Sequence, residues 1–173
     1  MKKLGIMTVL LFAFQMSFAQ VEEGDSMISV GVGISPTFYS GGGFESSLPP
    51  IEAVYEYGIS EKITVGGFAG YAGAEFRSAG FGYDYTYILA GALGNYHLVN
   101  SEKFNVYIGA KLGYANVSAK EVGNNGLGLS AEASGIIYGG QLGARYWISD
   151  SIGINAEAGY GVAAFKAGVT FKL

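Results

Sequence analysis

The stretch "FNVYIGAKLGY" (104–114) decides how the rest of the chain is read. Phe104, Val106, Ile108, Ala110, Leu112 and Tyr114 occupy every second position, with Asn105, Tyr107, Gly109, Lys111 and Gly113 between them. A two-residue period is the mark of a β-strand whose two faces meet different surroundings. One face is wholly apolar; the other is glycine, one amide, one phenol and one cation. The stretch also has the ~9–11 residues that a tilted strand needs to cross a bilayer.

The pattern recurs on both sides of this stretch. In 152–161, Ile152, Ile154, Ala156, Ala158 and Tyr160 alternate with Gly153, Asn155, Glu157, Gly159 and Gly161. In 136–148, Tyr138, Leu142, Ala144, Tyr146 and Ile148 stand opposite Gln141, Gly143, Arg145 and Trp147. In 27–35, Ile28, Val30, Val32 and Ile34 stand opposite Ser29, Gly31, Gly33 and Ser35. In 50–59, Ile51, Ala53, Tyr55 and Tyr57 stand opposite Glu52, Val54, Glu56 and Gly58. Residues 63–72 and 84–98 are apolar on both faces over part of their length, which leaves their facing open. The closing "KAGVTFKL" (166–173) alternates to its last residue. Eight strands are expected.

Connections alternate in length. "ISEK" (59–62), "VNSEK" (99–103) and "SDS" (149–151) are tight. Residues 36–49, 73–83 and 116–134 read as longer connections, with a short fourth at 161–164. Short turns on one side and longer loops on the other are the asymmetry of an outer-membrane barrel, with the turns and both termini in the periplasm.

Composition agrees. Half of the 173 residues are apolar and 14% are charged, with 29 Gly, 13 Tyr and 11 Phe. This is too aromatic for disorder. The absence of cysteine excludes disulfides, thiolate metal sites and a Cys nucleophile. "MKKLGIMTVLLFAFQMSFAQ" has two lysines, an apolar run and small residues at Ser17 and Ala19. It reads as a signal peptide, 1–19, leaving a barrel domain over 20–173. Loss of Lys2 and Lys3 takes the formal charge from −4 to −6. An acidic chain of this kind is a poor nucleic-acid partner. After residue 19 no apolar run is long enough to span a bilayer as a helix, so a membrane form has to be a barrel.

A soluble barrel would point its apolar face inward and need a polar exterior. A face that is half glycine makes a poor exterior and a good lumen, because an eight-stranded barrel has little room inside. The glycines leave space for Lys111, Arg145 and Glu157. Tyr55, Tyr57, Tyr96, Phe104, Tyr146 and Phe171 lie near the short turns; Tyr83, Tyr85, Tyr87 and Tyr114 lie near the long loops. Two aromatic girdles around an aliphatic band suit a membrane with interfaces at both ends.

"EYGISEKITVGGFAGY" (56–71), "GNYHL" (94–98), "GARYWISDSIGINAEAGYG" (143–161) and the closing "GVTFKL" resemble the small barrels of the OmpA-barrel/OmpX-like superfamily, in the form found in Bacteroidota. The resemblance implies an eight-stranded antiparallel up-and-down transmembrane barrel in the outer membrane of a Gram-negative cell. Families of this kind include adhesins and envelope-stability proteins. The end of the chain also resembles the signal read by the barrel-assembly machinery, with Lys166, Gly168, Phe171 and Leu173 in matching order and Leu where Phe is commoner.

The inward charges Glu52, Glu56, Lys111, Arg145, Glu157 and Lys166 form the candidate site. Centring a hairpin on 149–151 puts Gly143 opposite Glu157 and Arg145 opposite Asn155. Glu157 is then diagonal to Arg145, and also to Lys166 across the next loop. The expected role is a polar plug closing the lumen; the alternative is a narrow porin-like channel for ions or small solutes. Catalysis is not expected, because the single histidine, His97, sits beside a periplasmic turn without an acid–Ser partnership in sequence. No metal or other cofactor is implied. Expected partners are outer-membrane lipid and lipopolysaccharide, the barrel-assembly machinery, and an extracellular partner met by Phe38, Tyr39, Phe44, Phe76 and Phe81 in the outer loops. A monomer is expected.

Overall fold

The computed structural model describes residues 21–37, 44–78, 81–122 and 130–173. The expected signal peptide, Phe38 and Tyr39 lie outside the described residues. Eight strands follow in order: β1 (Ser26–Pro36), β2 (Phe44–Ser60), β3 (Ile63–Ser78), β4 (Phe81–Asn100), β5 (Phe104–Val122), β6 (Ser130–Trp147), β7 (Ile152–Tyr160) and β8 (Ala163–Lys172). Each pairs antiparallel with its neighbour in sequence, and β8 returns to β1 to close the barrel. Closure removes the edges that an open sheet would expose.

The alternation sets the facing. Ile28, Val30, Val32 and Ile34 are exposed outside, while Ser29 and its inward neighbours are enclosed. Tyr55, Tyr57, Tyr96, Phe104, Tyr146 and Phe171 all lie on the outer surface near the short turns. The other girdle is corrected. Tyr87 is buried inside the barrel and Tyr85 packs against the same inner cluster, and Tyr83 touches Tyr85. In β4 the odd positions continue the face that holds Leu89, Leu93 and Asn95, so these tyrosines follow it inward. Tyr114 keeps its expected place on the outer rim, which it shares with Tyr71, Tyr138, Tyr160 and Phe165.

The longer connections are also corrected. Most of 73–83 and much of 36–49 and 116–134 is strand, and β3 and β4 are joined through 79–80 alone. Above the apolar belt the outer face of the ribbon gains polar residues such as Asp84 and Arg77 while Tyr85 and Val117 still pack inward, so the apolar-out alternation fades while backbone pairing continues. Arg77 binds Glu75 at 2.8 Å and Asp84 at 2.6 Å across β3 and β4 there.

The barrel wall is therefore uneven. The last β6–β7 pair is Gly140↔Tyr160, whereas β5–β6 pairing runs on to Lys120↔Ser130. The last β1–β2 pair is Val32↔Ile51, whereas β2–β3 pairing runs on to Phe44↔Phe76. Strands β2–β6 rise as a five-stranded ribbon, and β7, β8 and β1 stop at the rim.

Candidate functional site

The lumen holds two ion clusters. In the one nearer the short turns, Arg145 on β6 reaches Glu56 on β2, with Nη2 donating to Oε2 at 2.7 Å. Both side chains are almost fully buried. Glu56 Oε1 also accepts from Thr64 Oγ1 and from Asn95 Nδ2, each at 2.8 Å. Arg145 Nε donates to Thr170 Oγ1 at 3.1 Å, and its guanidinium lies over the rings of Tyr107 and Trp147. A buried carboxylate with three donors and a buried guanidinium with its own partners meet the condition under which such charges persist.

The second cluster lies towards the ribbon. Lys111 Nζ donates to Glu52 Oε1 at 2.6 Å, and Lys166 Nζ donates to the same oxygen. Lys166 also binds Glu157 Oε2 at 2.8 Å, with Lys111 at 4.0 Å. Tyr107 Oη donates to Glu157 Oε1 at 2.7 Å. Two cations and two carboxylates balance. Alongside them Val54, Phe68, Leu93, Leu89, Tyr87, Ala72, Ala74, Ala115 and Val162 fill the lumen with apolar side chains.

All six inward charges of the sequence reading lie in these clusters, in a different pairing. Gly143 is opposite Glu157 and Arg145 opposite Asn155, as the hairpin count has it. Lys166 is directly opposite Glu157, not diagonal to it. Arg145 does not pair with Glu157: the Tyr107 ring lies under its guanidinium and gives its hydroxyl to Glu157. Gly143 makes that possible, since a Cβ there would lie 2.2 Å from Tyr107 Cζ.

Sequence reading did not gather the neutral members. Thr64 contacts His97 Nε2 at 3.2 Å, and His97 Nδ1 contacts Asn105 Oδ1 at 3.0 Å. His97 is thus a buried lumen residue. Asn105 Nδ2 donates to Asn100 Oδ1, which leads to the short-turn mouth. There Asn100 holds Val21 by both backbone groups, accepting from N at 3.2 Å and donating to O at 2.8 Å. Val21 is fully buried against Met27 and Trp147. Residues 21–25 cross the mouth as a strap, fixed by Gly24 and Asp25 to Gly58 and by Asp25 to Lys172. The inward polar positions were visible one by one; their partners depend on barrel closure.

Of the loop aromatics, Phe76 sits in β3 opposite Phe44, and Phe81 begins β4. Of the assembly-signal residues, Phe171 and Leu173 face outward at the seam with β1, and Lys166 belongs to the ion cluster. Among the described residues no His, Cys, Asp and Glu group is placed to hold a metal ion.

A closed barrel with an apolar outer belt, aromatic rims and an ion-paired interior is a transmembrane β-barrel. The chain belongs to the outer membrane protein beta-barrel domain family, which it matches over residues 5–171, and it is an outer-membrane protein. Its fold is similar to that of OprG from Pseudomonas aeruginosa (TM-score 0.60, 12% identity, 90% of this chain and 99% of that one). The N-terminal barrel domain of Pseudomonas aeruginosa OprF is similar too (TM-score 0.58, 11% identity, 87% and 98%). So is Ail, the attachment invasion locus protein of Yersinia pestis (TM-score 0.55, 19% identity, 87% and 95%). No curated protein matches the chain.

Proposed function

We propose that this protein is a non-catalytic surface-contact barrel. Its lumen is closed, and its ribbon β2–β6 presents a contact surface above the outer leaflet. The observation that carries this reading is the uneven wall. Among the described residues, β6 pairs on one side only over 130–139, and β2 does so at Phe44, Glu45, Ser46 and Leu48. Unpaired backbone groups cannot lie in hydrocarbon, so these edges belong above it. The Tyr138–Tyr160 contact at 6.4 Å supports a membrane interface at that height. Exposed strand edges accept extended partner segments. Ail, of similar fold, has been solved with the heparin analogue sucrose octasulfate. By analogy the ribbon, with Phe76 and the neighbouring aromatics, meets an extracellular partner or lipopolysaccharide. The barrel acts as a monomer and is inserted by the barrel-assembly machinery.

The two ion clusters and the apolar filling support a closed lumen over the alternative of a narrow channel. Planar-bilayer recording separates them. No steady openings are expected from the wild-type barrel. Steady openings whose conductance changes on Lys111→Ala or Arg145→Ala would establish the channel instead.

A further inference from the structure

We propose that the small cavity beside the β7–β8 turn binds one water molecule, which bridges Gln141 to Glu52 and joins the two ion clusters into one network. The cavity is about 20 Å³ and is lined by Glu52, Lys111, Gln141, Glu157, Lys166 and Val162, among others. Two buried acceptors on its lining, Glu52 Oε2 and Gln141 Oε1, have no hydrogen-bond partner among the described residues. Buried polar atoms are rarely left so, and an ordered water is the usual remedy.

Donor logic sets the orientation of Gln141. Glu56 is acceptor-only opposite Arg145, so Asn95 turns its amide nitrogen to Glu56. That leaves Asn95 Oδ1 as an acceptor, filled by Gln141 Nε2 at 2.8 Å. Gln141 Oε1 therefore points away from Asn95 and needs a donor. Glu52 spends Oε1 on both lysines, and Oε2 needs one as well. The occupant must supply two donors within a volume that holds about one water molecule. Two ammonium groups on the lining repel a cation. Water has the size, the two donors and no charge. It completes a path from Lys166 through Glu52, Gln141, Asn95, Glu56, Thr64 and His97 to the strap at Val21.

The test is a crystal structure of the wild-type barrel at a resolution that shows ordered water, with a double-mutant cycle in the folded protein. One water within hydrogen-bond distance of both Gln141 Oε1 and Glu52 Oε2 is expected. An empty cavity, a bound cation, or a lysine ammonium serving both acceptors would overturn the proposal. The cycle pairs Gln141→Met with Glu52→Gln, residues that share no direct hydrogen bond. Their effects on the unfolding equilibrium are expected to be non-additive by about twofold or more. Strict additivity would refute the bridge.

Discussion

Arg145 and Glu56 stand 89 residues apart in sequence and meet at 2.7 Å inside the barrel. This one contact ties β6 to β2 across the lumen, where no backbone hydrogen bond does so. It also separates two carboxylates with different tasks: Glu56 answers Arg145, while Glu157 answers Lys166 and Tyr107. The lumen is held by side chains reaching across it as much as by the strands around it.

Removing one partner of that pair leaves the other buried and unpaired. Arg145→Met is expected to cost about 3–5 kcal/mol of barrel stability. The double variant Arg145→Met/Glu56→Met should recover much of the loss, since an apolar pair of similar volume has no stranded charge. Denaturant unfolding in lipid vesicles measures both, and an unchanged midpoint in the single variant would show that the pair has no structural weight.

Gly143 is the clearance for Tyr107. A methyl group there meets the phenol ring directly. Gly143→Ala is expected to cost about 1–3 kcal/mol, and Gly143→Ala/Tyr107→Leu should recover part of it. If Gly143→Ala unfolds at the wild-type midpoint, the ring does not need its present place.

The strap at residues 21–25 can be read out by fluorescence. Trp147 is the single tryptophan of the chain, and it is buried beneath Val21. A Cβ at Gly58 would lie 2.1 Å from the Glu22 carbonyl oxygen, so Gly58→Ala should lift the strap. Quenching of Trp147 by acrylamide should rise in Gly58→Ala and in Asn100→Ala, while the heat-shifted gel band of a folded barrel remains. Unchanged quenching in both would mean that the strap does not seal this mouth.

Deletion of Phe171–Leu173 removes three residues of the β1–β8 seam and the end of the proposed assembly signal. Leu173 donates its backbone N–H to Ser26 at 2.9 Å, and Phe171 is opposite Ile28. The truncated chain is expected to fail to insert, whereas Leu173→Phe should insert normally. Normal outer-membrane assembly of the truncated chain would remove the seam residues from the signal.

Strand number, strand order and most facings were legible because each depends on neighbours within a few residues. Ile108 and Lys111 reveal opposite faces wherever the strand ends up. The facing of Tyr85 and Tyr87 was not legible, because they alternate with Asp84 and Thr86, which by polarity read as the lumen face, and only pairing with the neighbouring strands turns the tyrosines inward. The ribbon was read as loop for a related reason. Where the outer face meets water, as around Glu75, Arg77 and Asp84, the pattern that signals a strand is lost while the pairing persists.

The sequence by itself determined an eight-stranded membrane barrel and the set of charges turned into its lumen, because alternation and turn spacing are local properties of the chain. Only the tertiary structure decided who meets whom. Lys166 faces Glu157 directly, Arg145 crosses to Glu56, and Val21 is held by Asn100, because those distances follow from the stagger of a sheet closed upon itself. One step of register would exchange every one of these partners while leaving the alternation of each strand intact.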